Sequence, residues 1–156
     1  MPQWAHAPLS GEGAARFGGR WNPVGEPTIY AALELSTAWS EYNQGLVQHP
    51  ALIAELRLSR ARLADLCDAD MLASLSISED IHSTEWRSLL DEGREPKAHA
   101  LRRILLEDGF DGVVYPSVMS RGGRCVALWR WNQPGAPQLV VTDPDGRLPK
   151  SPASWL

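Results

Sequence analysis

Polar and apolar positions alternate most cleanly in "LIAELRL" (52–58), where Leu52, Ala54, Leu56 and Leu58 fall on one side and Glu55 and Arg57 on the other. A period of two predicts a half-exposed strand. "PTIYAA" (27–32) reads as a short strand ahead of it. Between the two, Ser36 is placed to cap a helix running through Tyr42 to about Leu46 and stopping near His49 and Pro50. Shorter helical pieces are predicted over 68–73 and 84–90, the second ending at Gly93. The longest helical pattern is "PKAHALRRILLEDG", with Pro96 in its first turn and Gly109 just past its end. Ala98, Leu101, Leu105 and the stem of Arg102 form its inner side. "FDGVVYPS" and "RCVALWRW" read as strands joined by "VMSRGG", and "QLVVT" as one more. Residues 8–25, rich in Gly and Pro, are expected to be irregular, and the tail from Pro144 to be loose.

The predicted order is strand, helix, strand, helices, then three strands joined by short turns. Late clustering of strands points to an α+β protein with a mixed or antiparallel sheet. No GxGxxG follows a strand and opens a helix, so a dinucleotide-binding βαβ unit is not expected. At 156 residues without internal repeats, the chain is expected to form one domain over 1–156.

Composition narrows the function classes. With 44% hydrophobic and 22% charged residues the chain suits a folded core. A net charge of -4 supplies no electrostatic footprint for nucleic acid, so no direct nucleic-acid contact is expected. Cys67 and Cys125 are far apart with no metal-ligand spacing, which argues against both a structural zinc and a disulfide framework; no metal is expected. No apolar run approaches the roughly 20 residues of a membrane helix, and the start lacks the parts of a signal peptide. A cytoplasmic protein without membrane contact is the expectation.

The candidate chemistry is concentrated in "RFGGRWNPVGEPTIYAALELSTAWSEY" (16–42), which gathers Gly19, Arg20, Trp21, Asn22, Tyr30 and Glu41. Each has a plain reading: Glu41 as a solvent-facing helix glutamate, Tyr30 as a core tyrosine, Arg20 as an ion-pair partner. Together they offer more. A glycine pair lets backbone approach a ligand, an arginine offers planar donors to a phosphate or amide, and one carboxylate can face a cationic centre. That set suits cleavage of a ribosyl bond through an oxocarbenium-like transition state. A Ser/His/Asp hydrolase is not supported, since no GxSxG is present and His6, His49, His82 and His99 lie in no motif.

"PLSGEGAARFGGRWNPVGEPTIYAALELSTAWSEY" and, later, "DGFDGVVYPSVMSRGGRCVALW" resemble the RES-domain toxins of bacterial RES–Xre toxin–antitoxin modules, over about residues 9–131. The resemblance implies a fold similar to ADP-ribosyltransferases, a split β core with flanking helices and a cleft for NAD. It implies NAD as substrate rather than redox carrier. Glu41, Arg20 and Tyr30 would be catalytic, with Tyr30 at the nicotinamide end. Gly19, Arg20, Trp21, Asn22, Tyr30 and Ser117 would bind NAD, Trp21 as a wall and Asn22 with Arg20 on the amide or a phosphate; Ser117 would orient Glu41 or the amide. Such domains usually carry a further arginine on a strand ahead of the segment matching Leu9, and in this sequence Met1 falls after that point.

By the same resemblance the chain is expected to be a toxin that splits the nicotinamide–ribose bond and transfers ADP-ribose to a cellular protein. Hydrolysis or phosphorolysis of NAD is the alternative. A nucleotide-binding module without turnover is a further rival, as is an unrelated enzyme using "SRGGR" (120–124) as a phosphate-binding turn; the simpler reading of that turn is a hairpin connection. "SISEDIHSTEW" (76–86) would be either a dock for a protein acceptor or a surface loop. The implied partner is a cognate Xre-type antitoxin occluding the cleft. Trp21 and Trp39 beside it are either interface anchors or core residues.

Overall fold

The computed structural model describes residues 4–44, 51–83 and 85–155. In chain order the elements are α1 (Glu12–Phe17), β1 (Ile29–Ala32), α2 (Leu35–Asn43), β2 (Glu55–Ser59), β3 (Leu63–Asp65), α3 (Ala69–Ser74), α4 (Trp86–Asp91), α5 (Lys97–Glu107), β4 (Gly112–Pro116), β5 (Arg124–Leu128) and β6 (Gln138–Thr142). The fold is α+β with its strands split between two sheets. Four strands run in the order β1-β5-β4-β3, and β2 pairs with β6 alone. The β1–β5, β4–β5 and β2–β6 pairs are antiparallel, and β3–β4 is parallel.

Strand β4 lies inside the four-stranded sheet, and its residues from Gly112 to Tyr115 are all buried. Alternation sends Val113 and Tyr115 to one face and Val114 to the other. The first face packs, with Cys125 and Ala127, against Leu101 and Leu105 of α5 and against Trp21. The second packs Val114, Val126 and Leu128 against Leu56, Leu58 and Leu139 of the smaller sheet. The split core therefore has helices on one side of the main sheet and a two-stranded sheet on the other.

Gly112 shows how tightly β4 is held. A Cβ there would lie 2.3 Å from the Ala127 carbonyl oxygen and 3.0 Å from the Leu128 Cα, both backbone atoms of the neighbouring strand. Gly112→Ala is expected to cost about 1–3 kcal/mol through forced separation of β4 and β5, measured as a lowered midpoint in chemical denaturation.

The structure departs from the sequence expectation at four places. Residues 12–17, within the stretch expected to be irregular, form α1, which starts after Gly11 at φ 66. The connection after β2 contains a third strand, β3. The strand expected over 52–58 begins only at Glu55, and Leu52 and Ile53 ahead of it are exposed. Helix α2 takes Glu34, not Ser36, at its N-cap position. The reason is local: Leu33 N–H still bonds the Arg124 carbonyl at 2.9 Å, so sheet pairing continues to Leu33 and the helix turns off directly after Glu34. The expected stop of that helix near His49 and Pro50 lies outside the described residues. After β6, the Asp143 carboxylate accepts from the N–H groups of Arg147 and Leu148, and Pro152–Trp155 forms a 3₁₀ turn.

Candidate active site

The loop after α1 closes on itself: Gly19 N–H donates to the Asn22 carbonyl at 2.9 Å. Asn22 is fully buried, and its Nδ2 donates to the carbonyls of Ala14, Pro23 and Glu26, each at 3.0 Å. Its Oδ1 accepts the Tyr30 hydroxyl at 2.8 Å, and that hydroxyl in turn accepts from Trp21 N–H at 2.8 Å. Asn22 thus spends its side chain on the loop and leaves no donor for a ligand. Gly19 has an equally internal reason, since a Cβ there would lie 2.6 Å from the Tyr30 hydroxyl oxygen. A third tie comes from α5, where His99 Nε2 donates to the Gly19 carbonyl at 2.9 Å.

Tyr30 remains 39% exposed although its hydroxyl is bonded inward. Burial of that hydroxyl pushes the phenol pKa up, against the Trp21 N–H, which lowers it. Tyr30 therefore offers a neutral aromatic surface.

Arg20 is 8% exposed. Its guanidinium lies 5.4 Å from the Trp21 ring centroid and 5.5 Å from that of Tyr115, and Nη2 donates to the Ile81 carbonyl at 3.1 Å. Burial lowers its pKa, while Tyr115 and Glu41 act in the opposite direction. An arginine stays charged under such a shift. Nε is buried and has no acceptor among the described residues. Trp21 is fully buried behind the guanidinium, so it backs Arg20 rather than walling a pocket, and its carbonyl accepts from Trp129 Nε1 at 3.0 Å.

Glu41 reaches from α2 toward the end of β4. Ser117 Oγ donates to Glu41 Oε1 at 2.6 Å and itself accepts from Ser120 N–H at 2.9 Å and Met119 N–H at 3.2 Å. The serine is fixed by two backbone donors, so its one proton is aimed at the carboxylate. Cys125 Sγ lies 3.8 Å from the same oxygen; burial first, then Glu41, push its thiol pKa up to about 12, which keeps it a donor. Among the described residues no hydrogen bond reaches Glu41 Oε2.

Helix α2 is clamped to this turn at its other end. Glu34 Oε2 accepts from Arg124 N–H at 3.2 Å and from Thr37 Oγ1 at 3.1 Å. The Arg124 N–H, ahead of the other causes, holds the Glu34 carboxyl below the usual carboxylate range. Gly123 sits so close to α2 that a Cβ would meet Thr37 Oγ1 at 2.3 Å.

A model of the family described as the RES domain matches residues 1–151. The chain belongs to the RES domain family. Curated relatives include the NAD(+) phosphorylase MbcT of Mycobacterium tuberculosis (strain ATCC 25618 / H37Rv) and of Mycobacterium bovis (strain ATCC BAA-935 / AF2122/97). Each is 30% identical over 144 residues, covering 84% of this chain and 72% of the relative. The crystal structure of the M. tuberculosis MbcT–MbcA toxin–antitoxin complex is similar in fold, with a TM-score of 0.55 at 19% identity over 94% of this chain and 79% of that one.

In this RES domain, then, the loop, β1, α2 and the β4–β5 turn bring Arg20, Tyr30, Glu41 and Ser117 into one electrostatic neighbourhood. Trp21, Asn22 and Gly19 belong to the scaffold beneath it. Sequence reasoning missed Cys125, Tyr115, Thr37 and Glu34. The signal for the first two was available, because Tyr115 and Cys125 are register partners on the face that also carries Tyr30. Among the described residues of 76–86, Ile81 is buried, its carbonyl holds Arg20, and His82 Nε2 bonds the Leu66 carbonyl at 3.1 Å, so the segment is tied to the body of the protein and is more than a plain surface loop. A groove of about 490 Å³ lies behind that segment against α5, away from Glu41. A second, of about 280 Å³, borders Tyr30, Thr28 and Gly18. Among the described residues no His, Cys, Asp and Glu gather in a group that could hold a metal ion, and no helix is long and apolar enough to cross a membrane.

Proposed function

We propose that this RES-domain chain is the toxin of a toxin–antitoxin pair, and that it breaks the nicotinamide–ribosyl bond of NAD and passes the ADP-ribosyl group to inorganic phosphate. The observation that carries the reading is the Glu41 carboxylate, fixed through Oε1 by Ser117 at 2.6 Å with Oε2 unbonded, in the same neighbourhood as Arg20 and Tyr30. Transfer to a protein was the first expectation from sequence; the 30% identity to NAD(+) phosphorylases favours the alternative, with phosphate as acceptor.

In this reading Tyr30 stacks on the nicotinamide ring, and Arg20 binds the amide or a phosphate oxygen through the part of its guanidinium not given to Ile81. Glu41 Oε2 faces the ribosyl carbon. As the C–N bond breaks, its electron pair stays on the pyridine nitrogen, and the positive charge developing at the ribose is stabilised by the carboxylate. Ser117 and Cys125 keep that carboxylate oriented without taking part in the proton balance. Gly19, Trp21 and Asn22 contribute by shaping the loop that presents Arg20. NAD is a substrate here, found in the cytoplasm where the toxin would act, and the partner is an antitoxin of the Xre type that covers this site.

The test is to incubate the purified protein with NAD labelled on the adenylate, with and without inorganic phosphate, and to resolve products by phosphorus NMR and gel. ADP-ribose 1″-phosphate appearing only with phosphate is the expected result. Label fixed on protein, or free ADP-ribose at every phosphate concentration, would overturn the choice of acceptor, and intact NAD would overturn the reading as a whole.

A further inference from the structure

Phosphorolysis sets an electrostatic problem that hydrolysis does not. An anionic phosphate must approach a carbon that already lies beside the Glu41 carboxylate, and like charges repel more strongly as the cleft dries. A cation on the acceptor side would offset that repulsion. Of the 15 Lys and Arg residues, eight are paired with carboxylates. Arg20, Arg62, Arg16 and Arg87 are engaged by aromatic rings, the first two also by carbonyls. Arg60, Arg121 and Lys150 have no partner among the described residues, and all three are exposed. Arg60 follows β2, and Lys150 lies in the C-terminal tail. Arg121 lies in the β4–β5 turn that begins at Ser117.

Its placement is fixed by the turn that carries it. Gly123 N–H donates to the Ser120 carbonyl at 2.9 Å, closing a tight turn with Arg121 and Gly122 at its tip. Gly122 has φ 75, the left-handed conformation such a tip requires and glycine supplies without strain. The turn is held to α2 at two places, through Ser117 on Glu41 and through Glu34 on Arg124 N–H. It therefore keeps station with the helix that bears the catalytic carboxylate. Following the bonds from Glu41 Oε1 through Ser117 Oγ to Ser120 N, the Arg121 Cα lies no more than about 11 Å from that carboxylate oxygen. One arginine side chain and one phosphate span such a gap.

We propose that Arg121 binds the phosphate co-substrate and thereby selects phosphate over water as acceptor; this rests on the phosphorolysis reading above. The planar guanidinium takes two phosphate oxygens side by side, leaving a third to face the ribose. That oxygen forms the new bond to the ribosyl carbon while the bond to nicotinamide breaks and its electron pair leaves with the ring. Hydrogen phosphate keeps its own proton, so nicotinamide departs neutral and the product is ADP-ribose 1″-phosphate.

The experiment measures rate against phosphate concentration, together with the ratio of ADP-ribose 1″-phosphate to ADP-ribose, in the full chain and in Arg121→Ala, Arg121→Lys and Arg60→Ala. Loss of a charge-assisted contact predicts a KM for phosphate raised about tenfold or more in Arg121→Ala. The products shift toward ADP-ribose, while the KM for NAD moves less than about twofold. Arg121→Lys falls between the two, and Arg60→Ala matches the parent chain. An Arg121→Ala protein with the parent's phosphate KM and product ratio overturns this assignment and leaves phosphorolysis standing. A parent chain that makes no ADP-ribose 1″-phosphate overturns both, and the parent measurement alone distinguishes that case.

Discussion

Glu41→Gln is expected to keep the fold and lose NAD cleavage by about 10² or more in rate, the scale on which removal of one preorganised electrostatic contact is felt. The structure makes the substitution a clean one. Ser117 Oγ and Cys125 Sγ both reach Oε1, and an amide oxygen in that position accepts from them as the carboxylate oxygen does. The side-chain volume is unchanged, and Glu41 pairs with no cation among the described ion pairs. What changes is Oε2, which becomes a donor carrying partial positive charge exactly where the reading puts a developing cation. Nicotinamide release gives the rate and a thermal melt gives the fold. Cleavage at close to the parent rate, with the melt unchanged, would remove Glu41 from the mechanism.

How much of this was legible in sequence depended on whether the deciding contacts are local. Helix α5 and strands β4 to β6 stood out because period, proline and glycine signals agree with their burial. Strand β3 has only three residues, and its burial comes from parallel pairing with β4 across about fifty positions, a contact no local pattern encodes. The same distinction divides the site. Arg20, Tyr30, Glu41 and Ser117 could be nominated by residue type and family resemblance. Trp21 and Asn22, equally prominent in the string, were assigned outward roles, whereas Trp129, Ala14 and Glu26 draw them inside. Of the two tryptophans considered as interface anchors, Trp39 is 41% exposed and Trp21 is fully buried.

Arg20→Lys is expected to weaken NAD binding at least about tenfold, the loss attached to one charge-assisted contact. The exchange is expected to cost stability as well. Arg20 is buried, its guanidinium lies 5.4 and 5.5 Å from the Trp21 and Tyr115 ring centroids, and Nη2 holds Ile81. A lysine ammonium is compact and more strongly hydrated, lacks the guanidinium's several donors, and gives up its proton more readily when buried. Weakening the cation–ring contacts and losing one buried hydrogen bond is expected to lower stability by about 1–3 kcal/mol. Turnover confounds an affinity measurement, so both proteins are compared in the Glu41→Gln background, by calorimetric titration with NAD and by denaturant unfolding. Weaker binding at temperatures where both variants are fully folded assigns Arg20 to the substrate. Parental affinity accompanied by the stability loss would make Arg20 a brace between the glycine loop and the 3₁₀ turn at Glu79–His82, and the NAD contact would have to come from another group.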